Sequence, residues 1–145
     1  MRPLLKFLRM PGGDGRLVFR VALLLLATRV GLAVFGYKRL RGAFVHFSSP
    51  PNVNRRSPLE DVDRVLWAVR KVGSRLLGDR RCLTEAMVTQ LLLSRRRLRA
   101  DIQIGVAFGV DGKLEAHAWI EHQGRVLIGG SSGLERYSRL PPLTL

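Results

Sequence analysis

Cysteine is almost absent from this sequence. Among its 145 residues only Cys82 is a cysteine, so no disulfide can form within the chain, and a zinc site of four cysteines is excluded. A chain without disulfides is most simply a protein of a reducing compartment, and we therefore expect a cytoplasmic location. We predict no metal site and no cofactor.

Acidic residues are also scarce in this sequence. The chain has 11 Asp and Glu against 25 Lys and Arg, which gives a net charge of +14. Such a surface attracts nucleic acid, acidic lipid or an acidic peptide. Aromatic residues make up only 7% of the sequence, and no aromatic-rich platform for stacking bases is present. We therefore expect no nucleic acid as partner, and a nucleic-acid-binding basic protein is kept as an alternative function.

A hydrophobic run long enough to cross a membrane is also missing. The best candidate, 18–34, has its longest uninterrupted apolar stretch at 21–27, whereas a span needs about 20 apolar residues. Arg29 then interrupts it, at a cost of about 2.5–3.5 kcal/mol near a bilayer centre. No small-residue cleavage site follows, as a signal peptide would require. We predict a soluble helix, with contact to a membrane surface as the less favoured alternative.

The first predicted helix covers 17–41 and follows a basic leader at 1–15. Nearly all of its residues are apolar, so it is expected to bury most of its circumference. Arg29 falls on the side opposite Arg20 and would need a partner if it were buried. The other charged residues share one narrow stripe, which consists of Arg16, Arg20, Lys38 and Arg41.

A proline-rich linker at 48–54 separates this helix from a second one. Ser57 can cap the second helix, Pro58 suits its first position, and Glu60 completes a capping box. Apolar residues then recur at helical spacing until Gly78, which is expected to end the helix. We therefore divide the chain into a basic N-terminal segment, residues 1–56, and a core, residues 57–145.

The third predicted helix runs from Arg80 to about Ser94, with Asp79 as its cap. The basic run 95–97 closes it, as suits the negative end of a helix dipole. Two interpretations of this run stay open, a solvated charged end and a binding surface.

After the third helix the hydrophobic period changes from helical to alternating. Residues 102–108 and 114–121 are predicted strands joined by a turn at Asp111-Gly112. A turn at Gln123-Gly124 leads into a third strand, 125–128. The order of helices first and an antiparallel sheet second predicts an α+β fold.

Two residues in these elements suggest nucleophilic chemistry. Cys82 lies in the first turn of the third predicted helix, where the N-terminal partial charge and the neighbouring arginines favour a thiolate. His117 lies on the second strand, and a strand histidine packed against the start of a cysteine-bearing helix is the papain-type arrangement. Each residue taken alone is more often structural, the cysteine as a small buried hydrophobe. We interpret His46 as structural and His122 as a surface residue.

Three short segments occur in order along the chain. They are Cys-Leu-Thr-Glu-Ala at 82–86, Ala-His-Ala-Trp-Ile-Glu at 116–121 and Gly-Arg-Val-Leu at 124–127. Together with the apolar N-terminal helix, they resemble the lasso-peptide leader peptidases, which are bacterial transglutaminase-like cysteine proteases. The resemblance covers residues 17–140 and implies a transglutaminase-like (papain-like) fold. It also implies that Cys82 is the nucleophile and His117 the base.

The family further implies an Asp that orients the histidine, and this chain departs from that pattern. A two-residue turn at 123–124 would pair His117 with Gly130, and a one-residue bulge would pair it with Gly129. Glycines therefore stand where the acid is expected, and an Asp placed at either one is expected to raise activity. Glu121 shares the face of His117 but lies about 13 Å along the strand. The groups left to hold the ring are a backbone carbonyl, the Ser131 hydroxyl and Glu135.

The resemblance also implies partners. Fused relatives carry a leader-binding domain before the protease, whereas the residues before Ser57 here are helical and basic, so the chain resembles the split form. The expected partners are the lasso-peptide precursor, a separate small leader-recognition protein and a ring-closing cyclase. The predicted function is removal of the leader peptide by a cysteine peptidase. A non-catalytic scaffold that keeps the fold is the second alternative.

Overall fold

The computed structural model describes residues 14–47, 59–130 and 133–141. The described residues form three α-helices followed by a four-stranded antiparallel sheet, which confirms the predicted α+β order. The helices are α1 (Asp14–Phe47), α2 (Leu59–Leu76) and α3 (Cys82–Arg95). The strands are β1 (Asp101–Phe108), β2 (Leu114–His122), β3 (Arg125–Ile128) and β4 (Ser138–Arg139).

The first helix is longer than predicted, and it is bent. α1 begins at Asp14 and ends at Phe47, and Gly36 interrupts it with φ 74° and ψ 169°. Glycine adopts this backbone readily because it has no Cβ. The bend breaks the helical phase between residues 16–20 and residues 38–41. The single basic stripe that an unbroken period predicted is therefore wrong.

α1 also buries less of its surface than its composition predicts. By length and composition it could cross a membrane, so the prediction that no sufficiently long apolar segment is present is wrong. The segment has a mean hydropathy of 2.1, and 28% of it is buried. A core helix or a signal sequence would meet the same criteria of length and composition. Arg29 is exposed rather than buried. The expectation that this helix buries most of its circumference is therefore wrong.

A tight corner joins α2 to α3. Gly78 follows the end of α2 with φ 59°, which confirms the predicted stop. Asp79 lies in a 3-10 turn, and Arg81 takes the cap position of α3 without a side-chain hydrogen bond. The prediction that Asp79 caps a helix beginning at Arg80 is wrong, because Asp79 lies inside the 3-10 turn and the cap position belongs to Arg81, whose backbone angles are helical. The predicted cap at 57–58 and the linker at 48–54 lie outside the described residues.

The basic run after α3 terminates the helix through its backbone. Arg96 is the C-cap and Arg97 follows with φ 61°. The N–H of Arg97 donates to the Ser94 carbonyl at 2.8 Å, and the N–H of Leu98 donates to the Leu93 carbonyl at 3.0 Å. These two bonds form a Schellman motif. The predicted end of the helix near Ser94 is confirmed.

The sheet has the strand order β3-β2-β1-β4. The predicted turn between β2 and β3 is confirmed: Gln123 and Gly124 have φ of 50° and 78°, and His122 pairs with Arg125. Two positive φ values in a two-residue turn suit the twist of the flanking strands. β4, which pairs with the other edge of β1, was not predicted.

A β-bulge in β3 shifts the register close to the candidate site. The pair Glu121–Val126 is followed by the pair Ile120–Ile128. Leu127 is therefore an extra residue in β3. Its carbonyl accepts a hydrogen bond from the guanidinium of Arg70 in α2, which ties the bulge to the helices.

One hydrophobic core joins the three helices to one face of the sheet. α3 lies at its centre, since residues 84–89 are all buried and together cover the whole circumference of the helix. Ala118 and Ile120 of β2 belong to this core. Because side chains alternate along a strand, His117 and Trp119 lie on the opposite face of β2.

Candidate active site

Cys82 is the first residue of α3, in the first turn of the helix as predicted. Its side chain is half-buried and packs against the margin of the hydrophobic core. The first hydrogen bond of the helix runs from the Glu85 N–H to the Arg81 carbonyl, at 2.8 Å. The N–H groups of the first turn have no acceptor earlier in their own helix. Those N–H groups that the preceding 3-10 turn leaves free are donors for a carbonyl group held at this thiol.

His117 lies in the middle of β2, opposite Gly105 of β1, and is half-buried. Its Nε2 lies 2.7 Å from the carbonyl oxygen of Gly129. Because a carbonyl can only accept, Nε2 must donate, and in the neutral ring the proton resides on Nε2. Nδ1 then carries the lone pair. The backbone thus orients this imidazole, in the way that a carboxylate orients many others.

Two aromatic rings flank His117. The Trp119 ring stacks on the imidazole with centroids 6.0 Å apart and an interplanar angle of 21°. The Tyr137 ring lies on it at 5.3 Å and 33°. A Cβ at Gly105 would come within 2.9 Å of the Tyr137 Cβ and 3.0 Å of the Trp119 ring. The missing side chain at Gly105 therefore makes room for this ring arrangement.

Gly129 reaches His117 only because it is a glycine. Its φ is 81°, and a Cβ at this position would lie 2.7 Å from the Ala118 carbonyl oxygen. Asp at Gly129 would therefore distort the backbone, which argues against the expectation that it raises activity. A Cβ at Gly130 would meet the Val126 side chain at 3.3 Å, so Asp at Gly130 stays a prediction.

The register expected around His117 is corrected by the bulge. The sequence predicted either an unbroken ladder or a bulge that brings Gly129 opposite the histidine. The extra residue lies in β3, so the partners along β3 are displaced in the other direction. Contact with Gly129 arises through its carbonyl oxygen rather than through a paired position.

The two predicted catalytic residues are on neighbouring elements. α3 packs against β2. His117 points from the face of β2 opposite the helical core, whereas Cys82 packs on the margin of that core. Within residues 14–47, 59–130 and 133–141, no hydrogen bond joins their side chains. The pairing of Cys82 with His117 stays a prediction.

Neither acid suggested by the sequence contacts the imidazole. Glu121 accepts hydrogen bonds from Trp119 Nε1 and Arg139 Nη2, both at 2.8 Å. Burial acts to raise the pKa of Glu121, but the hydrogen bonds from Trp119 and Arg139 outweigh burial and lower the pKa below its ordinary value. Across the described ranges, no hydrogen bond joins Glu135 to His117. Ser131 lies outside those ranges.

Glu85, one turn after Cys82, is an acid that the sequence did not single out. Its side chain is buried against α2, where a Cβ at Gly73 would lie 2.0 Å from its Oε1. Burial raises the pKa of Glu85 to about 7, although Arg81 and Arg70 act in the opposite direction. The Arg81 Nε lies 3.3 Å from Oε1. A carboxyl that titrates near neutral pH therefore lies beside the first turn of α3.

The other two histidines have different surroundings. The Nδ1 of His122 lies 2.5 Å from the Arg99 carbonyl oxygen, which connects β2 to the segment before β1. His46 is exposed in the last turn of α1. Among the side chains that the structure describes, no three of His, Cys, Asp and Glu lie close enough to hold a metal ion.

Comparison with known protein families identifies the family to which this fold and its candidate site belong. The family described as the transglutaminase-like superfamily matches residues 22–141, most of the chain. The chain belongs to the transglutaminase-like superfamily. No curated protein and no solved structure matches it.

The transglutaminase-like domain covers every residue of the candidate site. It begins inside α1 and extends beyond β4, so that it includes Cys82, His117 and the Gly129 carbonyl. The predicted transglutaminase-like fold is confirmed. The superfamily includes cysteine peptidases, which agrees with the predicted class of activity.

Of the two aromatic neighbours of His117, the sequence pattern could have predicted one and not the other. Trp119 is two residues away on the same strand, so alternation alone would place it beside the histidine. Tyr137 gives no such signal, because it is brought in by β4 pairing with β1. A contact of this kind depends on the fold and not on local spacing.

Proposed function

We propose that this transglutaminase-like protein is a cysteine peptidase in which Cys82 is the nucleophile and His117 the acid–base group. The observation that carries the proposal is the hydrogen bond from His117 Nε2 to the Gly129 carbonyl. It leaves Nδ1 as the nitrogen that can accept a proton. A backbone carbonyl thus takes the orienting part that an Asp has in the leader peptidases.

The proposed reaction has two steps. The Cys82 Sγ forms a bond to the scissile carbonyl carbon while the thiol proton passes to His117 Nδ1. The C–N bond breaks, and the imidazolium gives its proton to the departing amine. Water then attacks the thioester carbonyl carbon while Nδ1 accepts one of its protons. The C–S bond breaks, the carboxylic acid product leaves, and the imidazolium returns its proton to the Cys82 thiolate. The reaction requires Sγ and Nδ1 to come within hydrogen-bond reach. Because His117 points from the face of β2 opposite the α3 core, the pairing rests on the resemblance to the leader peptidases, and the second experiment below tests it.

The first turn of α3 supplies the second catalytic element of the proposal. Backbone N–H groups there, including that of Cys82, would donate to the oxyanion formed in each step. Loss of one such donor typically costs about 10²–10³ in rate. The electrostatic support would come from the helix itself and would require no further side chain.

The proposed substrate is the leader–core junction of a lasso-peptide precursor. The support is the ordered resemblance of the segments at 82–86, 116–121 and 124–127 to the leader peptidases. The proposed partners are a separate small leader-recognition protein and a ring-closing cyclase. A net charge of +14 would favour an acidic leader or partner.

The first experiment tests the nucleophile. Cys82→Ala is expected to abolish precursor cleavage, followed by mass spectrometry, while circular dichroism stays unchanged. His122→Gln changes the other histidine of β2, outside the proposed catalytic pair. It is the control and should cleave at close to the normal rate. Normal cleavage by Cys82→Ala would contradict the assignment of Cys82 as the nucleophile, and no cleavage by the parent protein would favour the non-catalytic scaffold.

The second experiment tests the pairing of the two residues. Because Cys82 is the only cysteine, alkylation by iodoacetamide reports on a single site. If Nδ1 accepts the thiol proton, His117→Gln should alkylate about tenfold more slowly at neutral pH than the parent. Equal alkylation rates would show that His117 does not act on Cys82.

The third experiment tests the partner. Precursor cleavage is measured with and without the leader-recognition protein, at low and high salt. The partner should raise the rate mainly at low substrate, because it raises the effective concentration of the junction at Cys82. High salt should weaken that gain. Equal rates with and without the partner would show that this chain recognises the leader by itself.

A further inference from the structure

One face of α1 is apolar and open to solvent. Its residues recur at spacings of three or four, and at about 100° per residue they fall within about 80° of one another. Each is between 46% and 66% exposed. The apolar face of α1 consists of Phe19, Leu23, Leu26, Val30 and Val34.

Arginines border this face on both sides. Arg16 and Arg20 lie along one border and Arg29 along the other, and all three are exposed. Long basic side chains in such positions can lay their stems along apolar material and place their charges in a polar layer. The charged residues of α1 that border the face are therefore all cationic.

The surrounding chain is also poor in acid. Residues 1–47 contain nine Lys and Arg, and Asp14 is their only acid. Asp14 forms an ion pair with Arg64 of α2, so its charge is compensated within the fold. An apolar strip with cationic borders complements an anionic lipid surface, where acyl chains lie beneath phosphate groups.

The opposite face of α1 shows that the helix stays with the domain. Val18, Val21 and Leu25 are at most 5% exposed and belong to the core shared with α2 and α3. A membrane-crossing α1 would have to leave that core. Contact along the helix axis, with the helix in the plane of the interface, keeps these residues buried.

We propose that the apolar face of α1 and its arginine borders dock this protein on an anionic lipid bilayer. The helix lies in the membrane interface and the domain stays on one side of it. This inference does not depend on the reaction proposed for Cys82. It goes beyond peptide cleavage by assigning the protein a place at a membrane surface.

The test is co-sedimentation of the full chain with lipid vesicles. Vesicles of phosphatidylcholine are compared with vesicles in which about one third of the lipid is phosphatidylglycerol. Binding to the anionic vesicles should be at least about tenfold tighter and should weaken as salt rises. Equal binding to both vesicle types, or no binding to either, would overturn the proposal.

Matched variants separate the apolar contribution from the charges. The combined change Phe19→Ser, Leu23→Ser and Val30→Ser should weaken binding to anionic vesicles by at least about tenfold. The control removes three other exposed apolar residues, by Phe108→Ser, Val110→Ser and Leu114→Ser, and should bind like the parent. Equal loss in the two variants would overturn the proposal. Circular dichroism and thermal unfolding check that both are folded.

A second double variant, with a matched control, tests the contribution of the arginines that border the apolar face. Arg16→Gln with Arg20→Gln should weaken binding several-fold and flatten its salt dependence. The control, Arg99→Gln with Arg125→Gln, changes the net charge equally at exposed positions away from α1. Equal weakening in both would show attraction by net charge alone and would overturn the assigned face.

A reporter variant keeps the test decisive if the serine variant unfolds. Leu23→Trp should shift its fluorescence to the blue on adding anionic vesicles, because the indole enters an apolar layer. Leu114→Trp, the control, should show no shift.

Protein that resists alkaline carbonate extraction would indicate a span. Self-association through this face without vesicle binding would indicate a protein interface, and either result would overturn the proposal.

Discussion

At the scale of single residues, Gly129, which directly follows β3, connects the backbone to the chemistry proposed for His117. Its carbonyl holds Nε2 at 2.7 Å, and its positive φ and close approach to Ala118 both exclude a side chain. A non-glycine residue in this conformation carries a steric cost of about 1–2 kcal/mol, to which the contact with β2 adds.

Gly129→Ala is therefore expected to lower the free energy of unfolding by about 1–3 kcal/mol and to reduce cleavage strongly. The reduced cleavage follows because the imidazole loses its fixed acceptor. Gly130→Ala is the matched control, expected to stay within about 0.5 kcal/mol because only the Val126 side chain lies nearby. The measurements are urea unfolding and cleavage kinetics. Equal effects of the two changes would contradict the assigned part of Gly129.

Glu85 gives a prediction about pH. Burial raises its pKa from 4.5 to about 7, so between these values the folded protein binds more protons than the unfolded chain. Stability must then fall as pH rises through this window, and the loss is complete above about pH 7. Glu85→Gln removes the titrating group, so its stability relative to the parent should improve by about 1–2 kcal/mol between pH 5 and pH 8.

The measurement for Glu85 is urea unfolding of both proteins at several pH values. Glu135→Gln removes one charge from an exposed position and is the control for net charge. A stability difference between Glu85→Gln and the parent that does not change with pH would show that this carboxyl does not titrate in the window.

The residue types of the site were visible in the sequence, but their contacts were only partly so. Helical and strand periods placed Cys82 at a helix start and His117 on a strand. The group that holds the imidazole belongs to the backbone, and a backbone carbonyl leaves no residue pattern that selects it. Tyr137 reaches His117 through packing between distant segments, so local spacing gives no sign of it. Glu85 is only one turn from Cys82, but its burial against Gly73 of α2 depends on packing that local spacing does not show.

At the scale of elements, helices and strands with strong hydrophobic periodicity were predicted well, whereas the bend, the short strand and the bulge were not predicted. The apolar spacing of α2 and the alternation of β1 and β2 gave the type of each element and nearly its bounds. The bend at Gly36 lies inside an apolar segment, where a glycine is compatible with an unbroken helix. β4 has only two residues, too few to show alternation. The extra residue in β3 accepts a hydrogen bond from Arg70 of α2, a contact between distant segments that local spacing does not show.

The end of α3 offers an element-scale prediction. Arg97 takes a φ of 61° at the position where glycine is usual in a Schellman motif. Arg97→Gly should therefore raise the free energy of unfolding by about 0.5–1 kcal/mol, because glycine has no Cβ to clash there. Arg95→Gly, inside the last turn, is the contrasting change and should lower stability by about 0.5–1 kcal/mol. Thermal unfolding measures both, and a loss of stability in Arg97→Gly would contradict the motif.

At the scale of the whole molecule, α1 links the N-terminal third of the chain to the rest. Its buried face shares one core with α2, α3 and the sheet, while its other face carries the apolar surface proposed to meet lipid. The sequence suggested a boundary after residue 56 because a proline-rich linker at 48–54 and a predicted helix cap at Ser57 follow the first helix. Shared burial cannot be read from composition, since it depends on which face of the helix the domain covers.

This shared core predicts how the molecule unfolds. A chain of residues 57–145 loses Val18, Val21 and Leu25 from the core, and each buried aliphatic side chain contributes about 1.5–3 kcal/mol. Their sum is comparable to the total stability of a typical domain, about 5–15 kcal/mol. We therefore expect residues 57–145 alone to lack a cooperative unfolding transition by calorimetry, whereas the full chain shows a single one.

Point variants test the same idea without truncation. Val21→Ala with Leu25→Ala should lower the midpoint of that single transition strongly, because both side chains are fully buried. Leu23→Ala with Val30→Ala removes similar groups from the exposed face and should leave the midpoint nearly unchanged. A separate low-temperature transition for α1, or cooperative unfolding of residues 57–145 alone, would show that α1 is an independent unit. The proposed membrane contact would then involve a detachable helix rather than one face of the folded domain.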